Sequence, residues 1–276
     1  MCSWSLRRFV TNISIPVVRI TKTFYSNIIC WKMEIRLDGK KALVTGAGKG
    51  IGRAIAKKLV ECGAETIAIS RTQADLDSLK AEVPVIHTVH IDLADWDKTR
   101  EAVSKIGPVD LLVNNAGVGI CANFLEMKRE DLETTMNINF NAAFNVSQVV
   151  CKGMVEKGQG GSVVNISSLA SMGALHEHSA YSSSKAALDM LSKTMALELG
   201  PQKIRVNSVN PTVVWTAMAE KNWSDPKKSE PMLSRIPLGK FVEVEDVVNT
   251  VIFLLSDKSA MISGECVRID GGLGVH

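Results

Sequence analysis

The sequence contains no uninterrupted apolar run that approaches the ~18 residues needed for a membrane-spanning helix, so we predict no transmembrane segment. Its six cysteines are scattered, without a Cys-x-x-Cys pair or any paired spacing. That distribution is typical of reduced thiols in an intracellular protein and argues against a disulfide framework. The chain also has no internal repeat, no low-complexity tract and no linker after residue 33. One domain is therefore the simplest interpretation.

Acidic residues are missing from the first part of the chain. Residues 1–32 hold five of the 32 lysines and arginines and no Asp or Glu, which leaves 27 basic and 29 acidic residues beyond them. A body with this balance has no general positive field, so we expect no binding to nucleic acid. The acid-free composition resembles a transit peptide, although Pro16 interrupts its most apolar part and its amphipathic period is poor.

Two interpretations of residues 1–32 remain open. They act as a transit peptide, which would make the protein mitochondrial, or they come from an upstream start or an alternative first exon, with Met33 as the initiator. We predict an N-terminal extension over residues 1–32 and a folded domain over residues 33–276. We predict a cytoplasmic protein unless the extension directs it to mitochondria.

Beyond the extension, short apolar runs alternate with amphipathic segments. The predicted strands are Lys41–Thr45, Glu65–Ser70, Val85–Ile91, Val109–Val113, Ser162–Ser167, Ile204–Val209 and Cys266–Ile269. The predicted helices are Gly50–Cys62, Gln73–Ala81, Asp95–Ile106, Asp131–Lys157, Tyr181–Leu199 and Glu243–Leu255. Residues 212–239 contain three prolines and look irregular, as in a lid or a set of short helices.

Short strands that are apolar on both faces and separated by helices pair in parallel through right-handed crossovers. The predicted fold class is α/β: a single-domain, Rossmann-type doubly wound sheet of seven parallel strands with helices on both faces.

A glycine cluster lies between the first predicted strand and the first predicted helix. Glycines there let the backbone turn tightly and approach a pyrophosphate, while the helix N-terminus supplies aligned N–H groups. We predict a dinucleotide-binding loop, and the alternative is a plain glycine turn. The predicted contacts are Gly46, Gly48, Lys49, Gly50, Ile51 and Gly52.

The second predicted strand ends at Ser70-Arg71-Thr72. NAD sites place an acidic residue here, ~20 residues beyond the glycines, to accept from the ribose 2′-hydroxyl. A cation and two hydroxyls favour a 2′-phosphate instead, and Lys49 and Arg53 add positive charge near the loop. We therefore predict NADPH/NADP+ as the cofactor, bound by Arg71 and Thr72. The alternative is that Arg71 is a solvated surface residue.

Polar and small residues follow the third and fourth predicted strands. Asp92 and Leu93 follow the third, where a carboxylate can accept from the adenine amino group or cap the next helix. Asn115, Ala116 and Gly117 follow the fourth, and they are small enough to let a cofactor lie against the backbone. We predict all five as cofactor contacts.

Tyr181 and Lys185 lie four residues apart in a predicted helix, so they share one face. A phenol with a pKa of ~10 is a poor proton donor at neutral pH. A lysine ammonium beside it stabilises the phenolate and lowers that pKa toward the working range. Because this spacing recurs by chance on solvated helices, the pair needs support from the rest of the chain.

The support comes from a resemblance. The glycine cluster, the segment Asn114–Gly117 and the pair Tyr181-x-x-x-Lys185 occur in this order, and over residues 37–272 the chain resembles the short-chain dehydrogenase/reductase family. The resemblance implies cofactor contacts from Val214 and Thr216, after a segment in which Thr212 replaces the family's glycine.

The same resemblance implies four catalytic residues. Ser168 would hold the substrate carbonyl, and Tyr181 would donate the proton. Lys185 would lower the tyrosine pKa and bind the nicotinamide ribose. Asn139 would position a water for proton relay.

Within the family, the chain is similar to the dicarbonyl/L-xylulose reductase group on segments such as Ser70–Leu79, Asn210–Val214 and Ile236–Phe241. That similarity implies an NADPH-dependent homotetramer in which His178 and Trp223 line the substrate pocket. Leu169 and the tail after residue 270 look divergent, which leaves the exact specificity open.

We therefore predict an NADP-dependent oxidoreductase of carbohydrate metabolism (xylose and glucose metabolism) that reduces small carbonyls, namely α-dicarbonyls and L-xylulose, the latter to xylitol. Tyr181 would protonate the carbonyl oxygen as hydride reaches the carbon, with Ser168 sharing the developing alkoxide. The alternatives are a short-chain reductase for 3-oxoacyl, steroid or xenobiotic carbonyls, and a catalytically silent NADP-binding scaffold.

His176 and His178 have no third ligand near, so we expect no metal site.

Overall fold

Nine strands are present in the computed structural model, which describes residues 34–216, 219–220 and 223–275. They are β1 (Lys41–Thr45), β2 (Glu65–Ser70), β3 (His87–His90), β4 (Leu111–Asn114), β5 (Gly161–Ile166), β6 (Ile204–Pro211), β7 (Val214–Trp215), β8 (Val242–Glu243) and β9 (Cys266–Ile269). Seven form one sheet in the order β3-β2-β1-β4-β5-β6-β9, and every neighbouring pair is parallel. The predicted seven-stranded parallel sheet is confirmed. β7 and β8 form a separate two-stranded sheet.

Helices connect these strands. They are α1 (Gly50–Glu61), α2 (Gln73–Glu82), α3 (Trp96–Lys105), α4 (Arg129–Met136), α5 (Ala142–Lys157), α6 (Ser179–Leu199), α7 (Pro226–Leu233) and α8 (Val244–Leu255). None of the helices in the described ranges combines the length and apolarity that crossing a membrane requires. The predicted extension over residues 1–32 lies outside the described residues.

One helix prediction needs correction. The single helix predicted over Asp131–Lys157 is divided into α4 and α5 by a π-helical turn, Asn137–Asn141. Residues 212–239 contain the short helix α7, in line with the predicted set of short helices, and also the short strand β7. The sequence explains α7: Asp225 accepts a hydrogen bond from the Lys227 backbone N–H at 3.0 Å, and Pro226 occupies the first turn, where a missing N–H does no harm.

The sheet buries apolar side chains on both faces. Along β1, Ala42 and Val44 pack with Ile55 of α1 and with residues of α8, whereas Leu43 packs on the other face with Met154 of α5. Each of these side chains is fully buried. Complete burial of a Leu, Ile or Met side chain stabilises a fold by about 1.5–3 kcal/mol. The two cores therefore hold both helix layers firmly against the sheet.

The strand order reverses between β1 and β4. The chain moves outward from β1 through β2 to β3, then returns to pair β4 on the other side of β1. At such a switch point, the loops after the two strands diverge and leave a crevice at the carboxyl ends. The glycine cluster follows β1 and Asn115–Gly117 follows β4, so both predicted cofactor segments border this crevice.

Candidate active site

The glycine cluster packs tightly against the segment that follows β4. Gly46 has φ of +64°, and a Cβ there would lie 2.8 Å from the Cα of Ala116. A Cβ on Gly52 would lie 2.3 Å from the side-chain nitrogen of Asn115. Lys49, the residue before α1, supplies no side-chain cap, and the first turn of α1 holds no acid. The first N–H groups of α1 are thus available for an anion.

Asn115 fastens the two sides of the crevice together. Its amide nitrogen donates to the carbonyl oxygens of Thr45 and Gly46, both at 3.0 Å. The Thr45 hydroxyl in turn accepts from the backbone N–H groups of Asn115 at 3.0 Å and Ala116 at 3.2 Å. The amide of Asn115 therefore shapes the glycine loop.

The basic side chains around the predicted 2′-phosphate position differ in whether they are already paired with a carboxylate. The side chain of Arg71 is exposed, and its guanidinium bonds no residue in the described part of the chain. Lys49 lies 3.6 Å from Asp75. Arg53 is held by Glu82, with a nitrogen–oxygen distance of 2.8 Å. Arg53 also donates to the carbonyl oxygen of Gly48 at 3.2 Å, so it lies at the glycine loop, but its guanidinium is engaged by Glu82, which pairs with Lys57 as well.

The alternative role for Asp92, as a helix cap, is not observed. Its carboxylate accepts from the N–H of Ala94 at 3.0 Å, within its own turn. Asp95 caps α3 instead, by accepting from the N–H of Lys98 at 3.1 Å. Asp92 thus stays exposed beside the crevice, next to the buried side chain of Leu93.

A cavity of about 1180 Å³ runs along the crevice. It is large enough for a dinucleotide together with a small substrate. Two predicted site residues, Gly52 and Asn139, do not line it. The predicted residues that do line it are Gly46, Gly48, Lys49, Gly50, Ile51, Arg71, Thr72, Asp92, Leu93, Asn115, Ala116, Gly117, Ser168, His178, Tyr181, Lys185, Val214, Thr216 and Trp223.

Asn139 lies just behind the cavity wall, fully buried in the π-helical turn. Its side-chain oxygen accepts from the N–H of Val118 at 2.8 Å, and its nitrogen donates to the carbonyl of Val118 at 3.0 Å. The same nitrogen donates to the hydroxyl of Ser184 at 3.0 Å. A Cβ on Gly117 would meet the Asn139 oxygen at 3.3 Å and the Lys185 ammonium at 3.5 Å. A side chain at position 117 would therefore lie directly against both Asn139 and Lys185.

Lys185 and Tyr181 share one face of α6, as predicted. The Nζ atom of Lys185 lies 5.8 Å from the ring centre of Tyr181 and donates to the carbonyl oxygen of Ile166 at 2.8 Å. Lys185 is buried, and burial lowers the pKa of its ammonium to about 8, with Asp189 opposing that shift. The ammonium of Lys185 therefore releases its proton more readily than an ordinary lysine does.

Burial and two neighbouring residues act on the pKa of Tyr181. Burial raises the pKa of this phenol above its ordinary value, a hydrogen bond with Ser168 acts in the opposite direction, and Cys121 adds to the rise. In the protein chain by itself, burial of the phenol dominates and the ammonium of Lys185 points to a backbone carbonyl. That Lys185 lowers the pKa of Tyr181 stays a prediction for the site with its cofactor bound.

Ser168 is positioned by a polar network that the sequence analysis missed. Asn210 donates to the carbonyl of Ser168 at 3.1 Å and to the carboxylate of Asp189 at 2.7 Å. Asp189 also accepts from the hydroxyls of Ser171 at 2.5 Å and Ser208 at 2.8 Å. One signal was available, because Asp189 lies one helical turn after Lys185 on the face that carries the predicted catalytic pair.

A second buried polar chain ties α5 and α6 to the sheet. The amide of Asn114 donates to Asn165 at 2.7 Å and to Ser147 at 2.8 Å, and the amide of Asn165 donates to Ser192 at 2.8 Å. All four residues are buried. Asparagines at the ends of otherwise apolar strands were the available signal, since buried amides require partners.

His178 and Trp223 line the cavity beyond Tyr181. The Nδ1 atom of His178 lies 2.5 Å from the carbonyl oxygen of His176, so Nδ1 carries the proton, and Nε2 lies 3.4 Å from the sulfur of Cys121. The Trp223 ring contacts Phe241 at 5.7 Å between ring centres. Both predicted substrate-contact residues are therefore held by neighbouring residues while they line the cavity.

Thr212 does not disturb the segment that follows β6. Its N–H donates to the carbonyl of Ile269 at 3.1 Å, and it does not have the positive φ that would require glycine. Val214 and Thr216 line the cavity just beyond it. The substitution of the glycine is therefore structurally neutral here.

Comparisons with known proteins agree with this geometry. The family described as enoyl-(acyl carrier protein) reductase matches residues 46–274. An L-xylulose reductase from Mesocricetus auratus is 57% identical over 240 residues, covering 87% of this chain and 98% of that protein.

Solved structures show the same fold. A gluconate 5-dehydrogenase from Burkholderia cenocepacia J2315, in complex with NADP and tartrate, has a TM-score of 0.83 at 30% identity, covering 88% of this chain and 98% of its own. A short-chain type dehydrogenase/reductase from Mycobacterium ulcerans has a TM-score of 0.84 at 30% identity, covering 87% and 92%. The chain therefore belongs to the matched reductase family, within the short-chain dehydrogenase/reductases.

Proposed function

We propose that this protein uses NADPH to reduce small carbonyl compounds, α-dicarbonyls and L-xylulose, the latter to xylitol. One observation carries the proposal: Ser168, Tyr181 and Lys185 line a single cavity with the glycine loop and Arg71. The similarity to an L-xylulose reductase over nearly the whole of that protein supports the same substrate class.

The residues around the crevice fit a phosphorylated dinucleotide. The uncapped N-terminus of α1 offers N–H groups to a diphosphate, and the glycine loop leaves no room for a Cβ at Gly46 or Gly52. Arg71 offers a guanidinium without a partner in the described chain, which suits a 2′-phosphate. Bound NADPH would supply the hydride for the carbonyl carbon.

The chain's own residues handle the carbonyl oxygen. Ser168 and Tyr181 donate hydrogen bonds to that oxygen, and these bonds strengthen as it becomes an alkoxide. Tyr181 then gives up its proton, so the carbonyl becomes an alcohol and the phenol becomes a phenolate. The positive charge of Lys185 stabilises that phenolate. Asn139 is a positioning residue that would hold a water for proton relay, and its own side chain is fixed by its bonds to Val118.

We propose further that residues 1–32 form an extension outside the fold, and that the protein is a cytoplasmic homotetramer. Mass spectrometry of the natural N-terminus, together with light scattering of the purified protein, tests these points. A processed N-terminus in mitochondria would reverse the assignment of compartment, and a monomeric mass would reject the tetramer.

The test of the reaction is the oxidation of NADPH, followed by absorbance, with diacetyl and with L-xylulose. We expect turnover of both, with xylitol as the product from L-xylulose. Oxidation with steroid or 3-oxoacyl substrates alone would reject the substrate class. Tight NADPH binding without turnover of any carbonyl would indicate a silent scaffold.

A further inference from the structure

Two arginines that the predicted mechanism does not use line the cavity. Arg268 lies in β9, and Arg235 follows the end of α7. They flank the turn Asp270–Val275, of which Leu273 and Gly274 also line the cavity. The C-terminal turn and these two side chains thus form one wall of the site.

Contacts at Gly274 place the guanidinium of Arg268. Its Nη1 atom donates to the carbonyl oxygen of Gly274 at 2.5 Å. A Cβ built on Gly274 would lie 3.2 Å from that Nη1 atom and 3.1 Å from the Cδ1 atom of Leu169. Because Leu169 follows Ser168 directly, Arg268 lies at the end of the cavity where the carbonyl is expected.

Arg235 lies just before the segment that packs on the same turn. A Cβ on Gly271 would lie 2.7 Å from Ile236, and one on Gly272 would lie 3.1 Å from Pro237. The N–H of Leu238 also donates to the carbonyl of Gly271 at 3.1 Å. The backbones that carry the two arginines are therefore joined through one turn, and both side chains line the same cavity.

The two arginines have no ion-pair partner in the described part of the chain, and the carboxylate of Asp270, which lies beside Arg268 at the turn, is engaged by backbone N–H groups. Both arginines are exposed, and neither forms an ion pair with a carboxylate in the described ranges. Asp270 directs its two oxygens to the N–H groups of Gly272 and Gly274, both at 2.9 Å. The acidic residues that line the cavity, Asp75 and Asp92, belong to its glycine-loop end.

We propose that Arg235 and Arg268 form an anion subsite for substrates that carry a carboxylate in addition to the carbonyl that is reduced. An arginine guanidinium pairs with a carboxylate through two parallel hydrogen bonds, which favours such substrates over neutral ones. This inference rests on the proposed function, since it assigns a substrate class to the same cavity.

The probe is a matched pair of dicarbonyls, 4,5-dioxopentanoate and its methyl ester, which differ in charge at one end. We measure kcat/KM for each with saturating NADPH in the wild type, Arg235→Gln, Arg268→Gln and Arg268→Lys. The acid-to-ester ratio of kcat/KM is expected to fall about 10-fold in each glutamine variant, because each variant loses a charge-assisted hydrogen bond to the carboxylate. In Arg268→Lys this ratio is expected to fall less.

One control variant and one fallback variant separate this inference from others. Arg129→Gln removes an exposed arginine of α4 that pairs with Glu133, and the ratio is expected to stay unchanged. If Arg268→Gln disorders the turn, Arg235→Gln still decides, because its side chain bonds no described residue. An equal loss on acid and ester, or weakened NADPH binding, would overturn the subsite. Wild-type failure on diacetyl would instead reject the proposed function.

Discussion

The ammonium group of Lys185 donates a 2.8 Å hydrogen bond to the carbonyl oxygen of Ile166, at the carboxyl end of β5. That bond holds the ammonium 5.8 Å from the ring centre of Tyr181, whose pKa is raised by burial. A phenol in this state is a weak acid. We infer that acidification requires the cofactor, because the positive charge of an oxidised nicotinamide beside the phenol would favour the phenolate.

Tyr181→Phe removes the proposed proton donor and keeps the ring. We expect kcat to fall about 10²–10⁴-fold, the usual contribution of a general acid. NADPH affinity, measured by fluorescence titration, is expected to stay within a few-fold of the wild type. A kcat of Tyr181→Phe close to that of the wild type would reject Tyr181 as the donor.

Lys185→Met exposes a conflict between stability and function. At about pH 7, burying a charged lysine destabilises the fold, and Met removes that charge while leaving the carbonyl of Ile166 unpaired. We expect the free energy of unfolding without cofactor to rise by about 1–2 kcal/mol, while turnover is lost. Urea unfolding and steady-state kinetics measure the two effects.

The sign of the pH dependence follows from the pKa of Lys185, which burial lowers to about 8. Between this value and the ordinary lysine pKa, the folded chain releases a proton that the unfolded chain keeps. Wild-type stability therefore rises with pH relative to Lys185→Met in this window, and the advantage of the variant shrinks. The exposed Lys193 on the same helix provides the control, since Lys193→Met is expected to show no such trend. A difference in the free energy of unfolding between the wild type and Lys185→Met that stays constant with pH would contradict the account.

Arg71→Asp tests the 2′-phosphate contact. A carboxylate repels the phosphate and accepts from a 2′-hydroxyl, so the NADPH-to-NADH ratio of kcat/KM is expected to fall about 100-fold. Arg129→Gln is the matched control, because Arg129 is paired with Glu133 on α4 and does not line the cavity, so its loss is expected to leave the ratio unchanged. Equal effects of the two substitutions would show that only general charge matters.

Gly52→Ala tests the packing between the glycine loop and Asn115. The new Cβ would lie 2.3 Å from the Asn115 amide nitrogen and 2.5 Å from the Gly46 carbonyl oxygen. We expect a loss of about 1–3 kcal/mol of stability, measured by urea unfolding, and weaker NADPH binding. Gly200→Ala is the control, since nothing lies within 4 Å of a Cβ there and φ is not positive. A neutral Gly52→Ala would contradict the tight packing.

Local patterns predicted the fold well. The runs of β1, β2 and β9 were predicted with the bounds that the structure has, because a short run of strand-forming residues is a local feature of the sequence. The π-helical turn at Asn139 was not predicted, since it arises from side-chain bonds to Val118, 21 residues away.

Partners that are distant in sequence limited the site predictions. The sequence placed Arg53 near the glycine loop but could not show its pairing with Glu82, which lies 29 residues away on another helix. The network of Asp189 joins Ser171, Ser208 and Asn210, which come together only when β6 and α6 pack on β5. In the chain without cofactor, burial raises the pKa of Tyr181. Helical spacing could not show this, because it gives proximity but neither burial nor the direction of a lysine side chain.

The most direct measurement is the titration of Tyr181 by the ultraviolet absorbance of tyrosinate, with and without NADP+. The chain has two tyrosines, so subtracting the titration of Tyr181→Phe isolates this one. We predict a pKa above the ordinary ~10 for the protein alone and well below it with NADP+, with the drop reduced in Lys185→Met. A pKa that stays above ~10 with NADP+ bound would contradict the assignment of Tyr181 as the proton donor.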